Sequence, residues 1–426
     1  MIYVASFDPR CVEAYERLAQ TAVGYGLPEK CAEACLNLAT CLSWDDAERC
    51  LKAAERVSQI ATTLPDPLAK EKLQLSCHFW RVWAGGWNAD EAIKVRQIFR
   101  KLHPQLQRTE LARQSIEYGM IQWASSEYFE ADQCVSDGLG ALRDTLAEQN
   151  PYLSIAYQKG QFYLPRALLF RGEWGRALDA LDASIELADK NGDSFPAQML
   201  RLSRSWIHFH AMDFEEVLAT SERVESLGGK FGGSYLVRLG RLLSGSAELS
   251  LGNYKRATAT LMTARDEMNS HRIVLDWCFR LPLQAALSEL WLLSGNLTQA
   301  QADANVYLSL ALSTEDYTYR ALAAEVNARV ALAQREMSAA QEFILQGIQV
   351  VEERDVPLAK WHVHATAASL FETSRQPVLA QRHRQIARTA ILSLADSLGT
   401  RHALRAKFLS APAVASALKE DVVHAA

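Results

Sequence analysis

Four of the eight cysteines, Cys31, Cys35, Cys41 and Cys50, fall within 20 residues, and clustered thiolates are one way to build a zinc site. Cys31 and Cys35 are four apart, so on a helix they share a face. Two His-x-His pairs, His208 with His210 and His362 with His364, would chelate a metal in extended backbone, but on a helix residues two apart point about 200° from each other. Asp45-Asp46 could hold a diphosphate through magnesium, and suits a helix start better. Trp80, Trp83 and Trp87 lie on one helical stripe and would serve as core or as a flat binding platform. No G-x-S-x-G, H-E-x-x-H or G-x-x-x-x-G-K-[ST] occurs, so no nucleophile elbow, zinc-protease helix or phosphate-binding loop is expected. The nearest Gly-rich run, Gly228-Gly229-Lys230-Phe231-Gly232-Gly233-Ser234, follows a helix rather than a strand and reads as a connecting loop.

What these residues can do depends on the elements that carry them. The chain has 426 residues, 49% hydrophobic and 22% charged, with a net charge of −5, a folded globular composition. Its 21 Gly and 12 Pro are too few for the turns of an all-β protein. No apolar run approaches the roughly 18 residues that span a bilayer, and the start of the chain lacks the basic and apolar regions of a secretory signal. No membrane partner is expected, and a cytoplasmic location is.

A repeat organises the rest. A bulky residue after a turn, followed three residues later by a small one, recurs at Trp44, Trp87, Tyr128, Trp174, Phe214, Tyr254, Leu297, Met337 and Pro377, spaced 43, 41, 46, 40, 40, 43, 40 and 40 residues apart. The position three after each landmark is Ala47, Asp90, Ala131, Ala177, Val217, Ala257, Ala300, Ala340 and Ala380. Twelve before, the residues are apolar except Glu325; nine before, mostly small, as in Cys35, Gly119, Ser205, Gly245 and Ser288; five before, apolar except Glu372. These offsets are i, i+3 and i+7 of one helical stripe, and the small middle position lets two helix backbones approach. Each copy is therefore a helical hairpin. Gly172, Gly252 and Gly295 suit the left-handed residue past a helix end. Ser43 with Asp46, and Asp213 with Glu216, suit helix starts, and Pro165 and Pro282 should kink first helices. Residues 9 to 24 read as one more helix, followed by a first helix at about 28 to 41.

Thirteen before the landmarks runs a largely polar column that includes Gln161, Arg201, Arg241 and Gln284. Arg201 and Arg241 occupy the same offset in consecutive copies. If the column lines a groove, the two guanidiniums could grip a carboxylate bidentately, and these four are the candidate ligand or peptide-binding residues. Standard phasing of such hairpins would instead bury the column. Arg375 to Lys407 carries seven Lys or Arg and one Asp, a basic end that reads as a solvated helix or a dock for an acidic partner.

The helix, Gly turn, aromatic, Ala at plus three and small residue in the preceding helix resemble the tetratricopeptide repeat over about residues 27 to 399. The 40-residue period exceeds the 34 of the standard unit, so the chain is more similar to the longer repeats in the sensor arms of bacterial signal-transduction ATPases and maltose-regulator-type activators. The resemblance implies an all-α, right-handed superhelical solenoid of about nine helix-turn-helix repeats. It also implies a concave face or neighbouring groove that holds a peptide or protein. The division expected is 1–26 as an N-terminal cap helix or remnant half repeat, 27–399 as the array, and 400–426 as a C-terminal cap in which Leu404, Phe408, Val414 and Leu418 cover the last repeat. The function expected is a non-catalytic scaffold binding a protein or peptide, one with acidic groups if the arginine row binds it, with no catalytic residue, metal or cofactor, and no nucleic acid partner. The rival readings are the sensor arm of an ATPase or transcriptional regulator, and an all-helical enzyme whose site is invisible in sequence.

Overall fold

The computed structural model describes residues 9–143, 151–231 and 234–419. Among them are 21 α-helices and one short 3-10 helix, His103–Gln105, with no strand. Helix α1 (Pro9–Gly24) stands alone. Nine hairpins follow: α2 (Pro28–Leu42) with α3 (Ala47–Thr63), α4 (Pro67–Gly85) with α5 (Ala89–Leu102), α6 (Arg108–Ala124) with α7 (Tyr128–Arg143), α8 (Pro151–Phe170) with α9 (Trp174–Asn191), and α10 (Ser194–His210) with α11 (Phe214–Phe231). The last four are α12 (Ser234–Ser250) with α13 (Tyr254–Ser270), α14 (Asp276–Leu293) with α15 (Leu297–Leu312), α16 (Tyr317–Ala333) with α17 (Met337–Glu353), and α18 (Pro357–Thr373) with α19 (Pro377–Ser397). Two short helices, α20 (His402–Ser410) and α21 (Pro412–Leu418), pack on α19. The chain is an all-α tetratricopeptide-like solenoid. No helix is long and apolar enough to cross a membrane among the described residues.

The hairpins form for local reasons. Asp46, Asn88, Asn296 and Asp316 accept the backbone N–H three residues on and so cap α3, α5, α15 and α16, satisfying donors that the helix start leaves open. Ala47, Ala131, Ala177, Val217, Ala257, Ala300, Ala340 and Ala380 are all buried, none more than 2% exposed. Asp90 is the exception, and it is exposed. Helix α5 starts two residues later than the landmark spacing implies, which puts Ala92 into the packed position instead. The small column behaves as expected too: a methyl added to Gly119 would meet Val135 Cγ2 at 2.6 Å, and one added to Gly245 would meet Leu261 at 2.9 Å.

The turns share one conformation that only some of them announce. Two residues before the landmark, Gly172, Gly252 and Gly295 have positive φ, and so do Ser126, Met212, Arg335 and Arg375. In each, the next N–H reaches back across the helix end, as from Glu173 to the Leu168 carbonyl at 2.8 Å and from Glu336 to that of Ala331 at 2.9 Å. That bond satisfies a carbonyl the helix would otherwise leave open.

Several expectations are corrected. Asp213 does not cap α11; its carboxylate bonds His208 Nδ1 at 2.9 Å and the Lys407 ammonium. Glu325, out of place in the apolar stripe, marks neither a slipped register nor an exposed helix. It is buried, accepts from Thr366 Oγ1 at 2.6 Å and faces Arg329. Gly228 to Phe231 belong to α11 rather than to a loop, and Gly232 and Gly233 lie outside the described residues. Pro165 and Pro282, by contrast, lie inside the first helices α8 and α14 as expected.

The superhelix stacks on itself. The turn inside each of the first five hairpins meets a later connection 188 to 231 residues away, so one superhelical turn takes about five hairpins. The Ala47 N–H bonds the Arg272 carbonyl and the Val274 N–H that of Ser43. Tyr128 Oη meets Thr318 Oγ1 at 2.6 Å, and Arg354 pairs with Glu127 at 2.8 Å. Trp174 packs edge-on against Phe408, 5.0 Å between ring centres, and Arg401 pairs with Asp179. The basic end is thus spent on the chain's own acids: Lys407 on Asp213, Arg405 on Asp396, Arg384 on Glu372. Lys407 and Arg405 remain 50% and 38% exposed, as a solvated end would be, while their pairing leaves them less available to an acidic partner.

Candidate functional site

Stacking of the turns closes most of the concave face. First helices from successive hairpins send aromatic rings to the axis, where Trp44 meets Phe162 and Tyr235 edge-on, and Trp83 meets Tyr163, Trp123 and Trp277. Such ring pairs favour edge-to-face geometry because the ring edge is positive and the face negative. The tryptophan stripe is therefore core, with Trp80 and Trp83 buried.

A wide opening lies beside this axis. A groove open to solvent at its mouth runs along α8 and α10 between the α2–α3 turn and the end of α9. Its floor is apolar, with Trp44, Phe162, Met199 and Leu200, and Leu187 stands at its edge. Three polar groups define the walls. Gln158 Oε1 is buried without a hydrogen-bond partner, a costly state for an amide oxygen unless a ligand or water supplies a donor. Asp193 forms no ion pair among the described residues, and burial raises its carboxyl above the usual range. Gln161, one turn along α8 from Gln158, lines the groove as well. The cation in this lining, Lys159, is already spent: its ammonium bonds Glu117 at 3.1 Å and lies 4.9 Å above the Trp80 ring. The groove thus presents acceptors over an apolar floor.

The four residues singled out from sequence do not form one row. Gln161 lines the groove. Arg201 borders a separate polar crevice between α9 and α11 and pairs with Asp189 at 2.6 Å. Arg241 is held between Glu225 at 2.8 Å and Glu267. Gln284 is buried and donates to Asp303 Oδ1 at 2.7 Å. Apart from Gln161, the column is turned toward the layer of second helices, where carboxylates of α9, α11, α13 and α15 meet it. Arg201, Arg241 and Gln284 thus have partners within the chain, and Gln161 alone of the four lines the groove. Sequence reasoning missed Gln158 and Asp193 because neither sits at a repeated offset.

The metal-like patterns resolve into packing. Cys31, Cys35 and Cys50 are buried, and burial pushes the Cys41 thiol up to about 12, far from a ready thiolate. His210 Nε2 accepts from Trp206 Nε1 at 3.0 Å, and burial drives its pKa down to about 4. His364 faces His383, Nδ1 to Nδ1 at 2.8 Å. Among the described residues no three His, Cys, Asp or Glu side chains are grouped to hold a metal.

No family model and no curated protein sequence matches the chain. Among solved structures, it is similar to a Rap protein complexed with competence and sporulation factor, at 12% identity and a TM-score of 0.61, over 86% of this chain and 99% of that one. It also aligns with the Rap conjugation gene regulator of plasmid pLS20 in complex with the Phr* peptide, at 13% identity and a TM-score of 0.40, over 94% of this chain and 99% of that one. A signal transduction ATPase with numerous domains and a tetratricopeptide repeat sensor, from Pyrococcus horikoshii, aligns at 13% identity and a TM-score of 0.44, over 84% of this chain and 55% of that one. The first likeness is one of fold.

Proposed function

We propose that this protein is a non-catalytic scaffold that binds a short peptide in the groove between α8 and α10, with residues 27–399 as the array and 1–26 and 400–426 as its caps. The single observation that carries the reading is the pairing of an apolar floor with a buried acceptor that has no partner, Gln158 Oε1, and with the carboxyl of Asp193, which has no ion pair among the described residues. A peptide supplies what both need: an apolar side chain for the Trp44 and Phe162 floor, and N–H donors for the walls. Sites of this kind are mostly apolar with a few placed polar groups. The Rap protein of similar fold is described as complexed with a factor, which supports a ligand-holding role for this architecture. Acidic character is not part of the proposal, because Arg201 and Arg241 already have carboxylate partners. The walls call for a ligand rich in donors, including a basic side chain at Asp193.

Selection from a random peptide display library on the full chain tests this. Enriched peptides should carry an apolar residue next to Lys or Arg. Leu187→Glu, at a position 39% exposed and so tolerant of a charge, should weaken their binding at least tenfold. No enrichment over an unrelated helical solenoid, or unchanged affinity in the variant, would sink the reading.

A further inference from the structure

Arg166, on α8 one turn beyond the groove residue Phe162, is 6% exposed and forms no ion pair among the described residues. Its guanidinium lies 4.1 Å above the Phe162 ring and within about 6 Å of the rings of Trp123, Trp206 and Phe279. One Nη donates to Tyr235 Oη at 3.1 Å, and Nε has no partner. Arginine carries five N–H donors and keeps its charge in any interior. The rings offset part of the desolvation, but they leave donors unmatched and the charge uncompensated.

A small cavity lies against this group, bordered by Trp123, Pro165, Trp206, Cys278 and Asp316. Asp316 is not the missing counter-ion. Its carboxyl accepts the Tyr319 N–H at 3.1 Å as the cap of α16, and burial pushes it up to about 7, so in mildly acidic solution it is neutral. Nearby Tyr163, Tyr235 and Tyr319 are held protonated by burial. Every other wall is apolar or weakly polar. The cavity therefore combines one fixed positive charge, open N–H donors and room for a group of a few atoms.

We infer that the cavity beside Arg166 is a binding site for a small monovalent anion, of the size of chloride or of a single carboxylate group. Such an anion would accept from the open guanidinium N–H groups and neutralise the buried charge, and the apolar walls would exclude larger or divalent ions. The site is separate from the peptide groove and its existence does not depend on that reading.

Thermal unfolding of the full chain near pH 6 tests it, with chloride and formate each compared with gluconate, too large for the cavity, at matched ionic strength. Wild type should show a saturable rise in melting temperature with chloride or formate, about 1–2 °C at ten times the dissociation constant for a chain of this length. Gluconate should give no such rise. Arg166→Met, which removes the charge and keeps the bulk, should abolish the difference between the anions. Bromide gives a second readout, since it should quench Trp123 and Trp206 fluorescence saturably in wild type and not in Arg166→Met. The inference is overturned if chloride, formate and gluconate curves superimpose in wild type, a result that needs no variant to fold. It is equally overturned if Arg166→Met keeps the anion response.

Discussion

Inside a hairpin, Ala257 is buried, and a small or β-branched residue is buried at the same place in eight of the nine copies. Between superhelical turns, Tyr128 Oη meets Thr318, Trp174 meets Phe408, and Arg354 meets Glu127, and no two of these contacts use the same chemistry. The difference follows from geometry. Every hairpin has the same kind of neighbour on the same side, so a small or β-branched residue solves the same packing problem in eight of the nine copies. Each turn contact joins two different stretches of chain, so each is solved separately. The repeated contacts rest on area and close approach, while several of the unique ones rest on polar groups whose worth depends on burial.

The largest effect should come from the apolar turn contact. Phe408 is fully buried against Trp174, so Phe408→Ala should cost about 3–5 kcal/mol. Chemical denaturation measures this, and a loss below about 1 kcal/mol would show that α20 does not tie the turns together.

A buried polar turn contact should be next. Asp316 starts the helix whose Tyr317 N–H bonds Ser126 Oγ across the turns at 2.8 Å. Its folded pKa, about 7, lies above the unfolded value of about 3.9. The folded state therefore binds the extra proton between them, and this contribution to stability, full below the unfolded value, is lost as pH rises toward 7. The slope is roughly 1.4 kcal/mol per pH unit at most. Asp316→Asn keeps an oxygen for the cap and should flatten that slope, making the variant the more stable form above pH 7. Identical pH profiles for the two proteins would contradict the buried assignment.

Breaking the repeated contact should cost less than emptying the apolar turn contact. Gly245→Leu overpacks the seam with α13, where an added methyl already meets Leu261, and should cost about 1–3 kcal/mol. An exposed ion pair between turns should matter least. Arg354 and Glu127 are 38% and 47% exposed, so Arg354→Ala should cost about 0.2–1 kcal/mol, less at high salt. A larger loss would mean that the pair acts as part of a network with Tyr317, over which Arg354 also lies.

The same division decides how much could be read from the chain. Hairpins, the Ala column, the close approach at Gly119 and Gly245, and α1 over 9–24 were legible because they recur or follow one helical period. The turn conformation was legible only at Gly172, Gly252 and Gly295. Ser126, Met212, Arg335 and Arg375 adopt it because the closing bonds of the turn outweigh a cost of about 1 kcal/mol for a side chain in the left-handed region, and their types give no sign of it. The polar column misled because a periodic row of Gln and Arg looks the same whether it faces water or a second helix bearing Asp and Glu. Lys407 and Arg401 looked like a free basic end because their acids lie about two hundred residues earlier. Gln158, Asp193 and Arg166 gave no signal at all, since a binding wall occurs once and has no period.

The α8–α10 groove is the proposed seat of the peptide. A photo-crosslinking side chain placed at Leu187, on the groove edge, and separately at Leu345, exposed on α17, reads this directly with a display-selected peptide and mass spectrometry. The account predicts a crosslink to the peptide from position 187 and none above background from position 345. Equal crosslinking at both positions, or none at 187 with a peptide that binds, would contradict it.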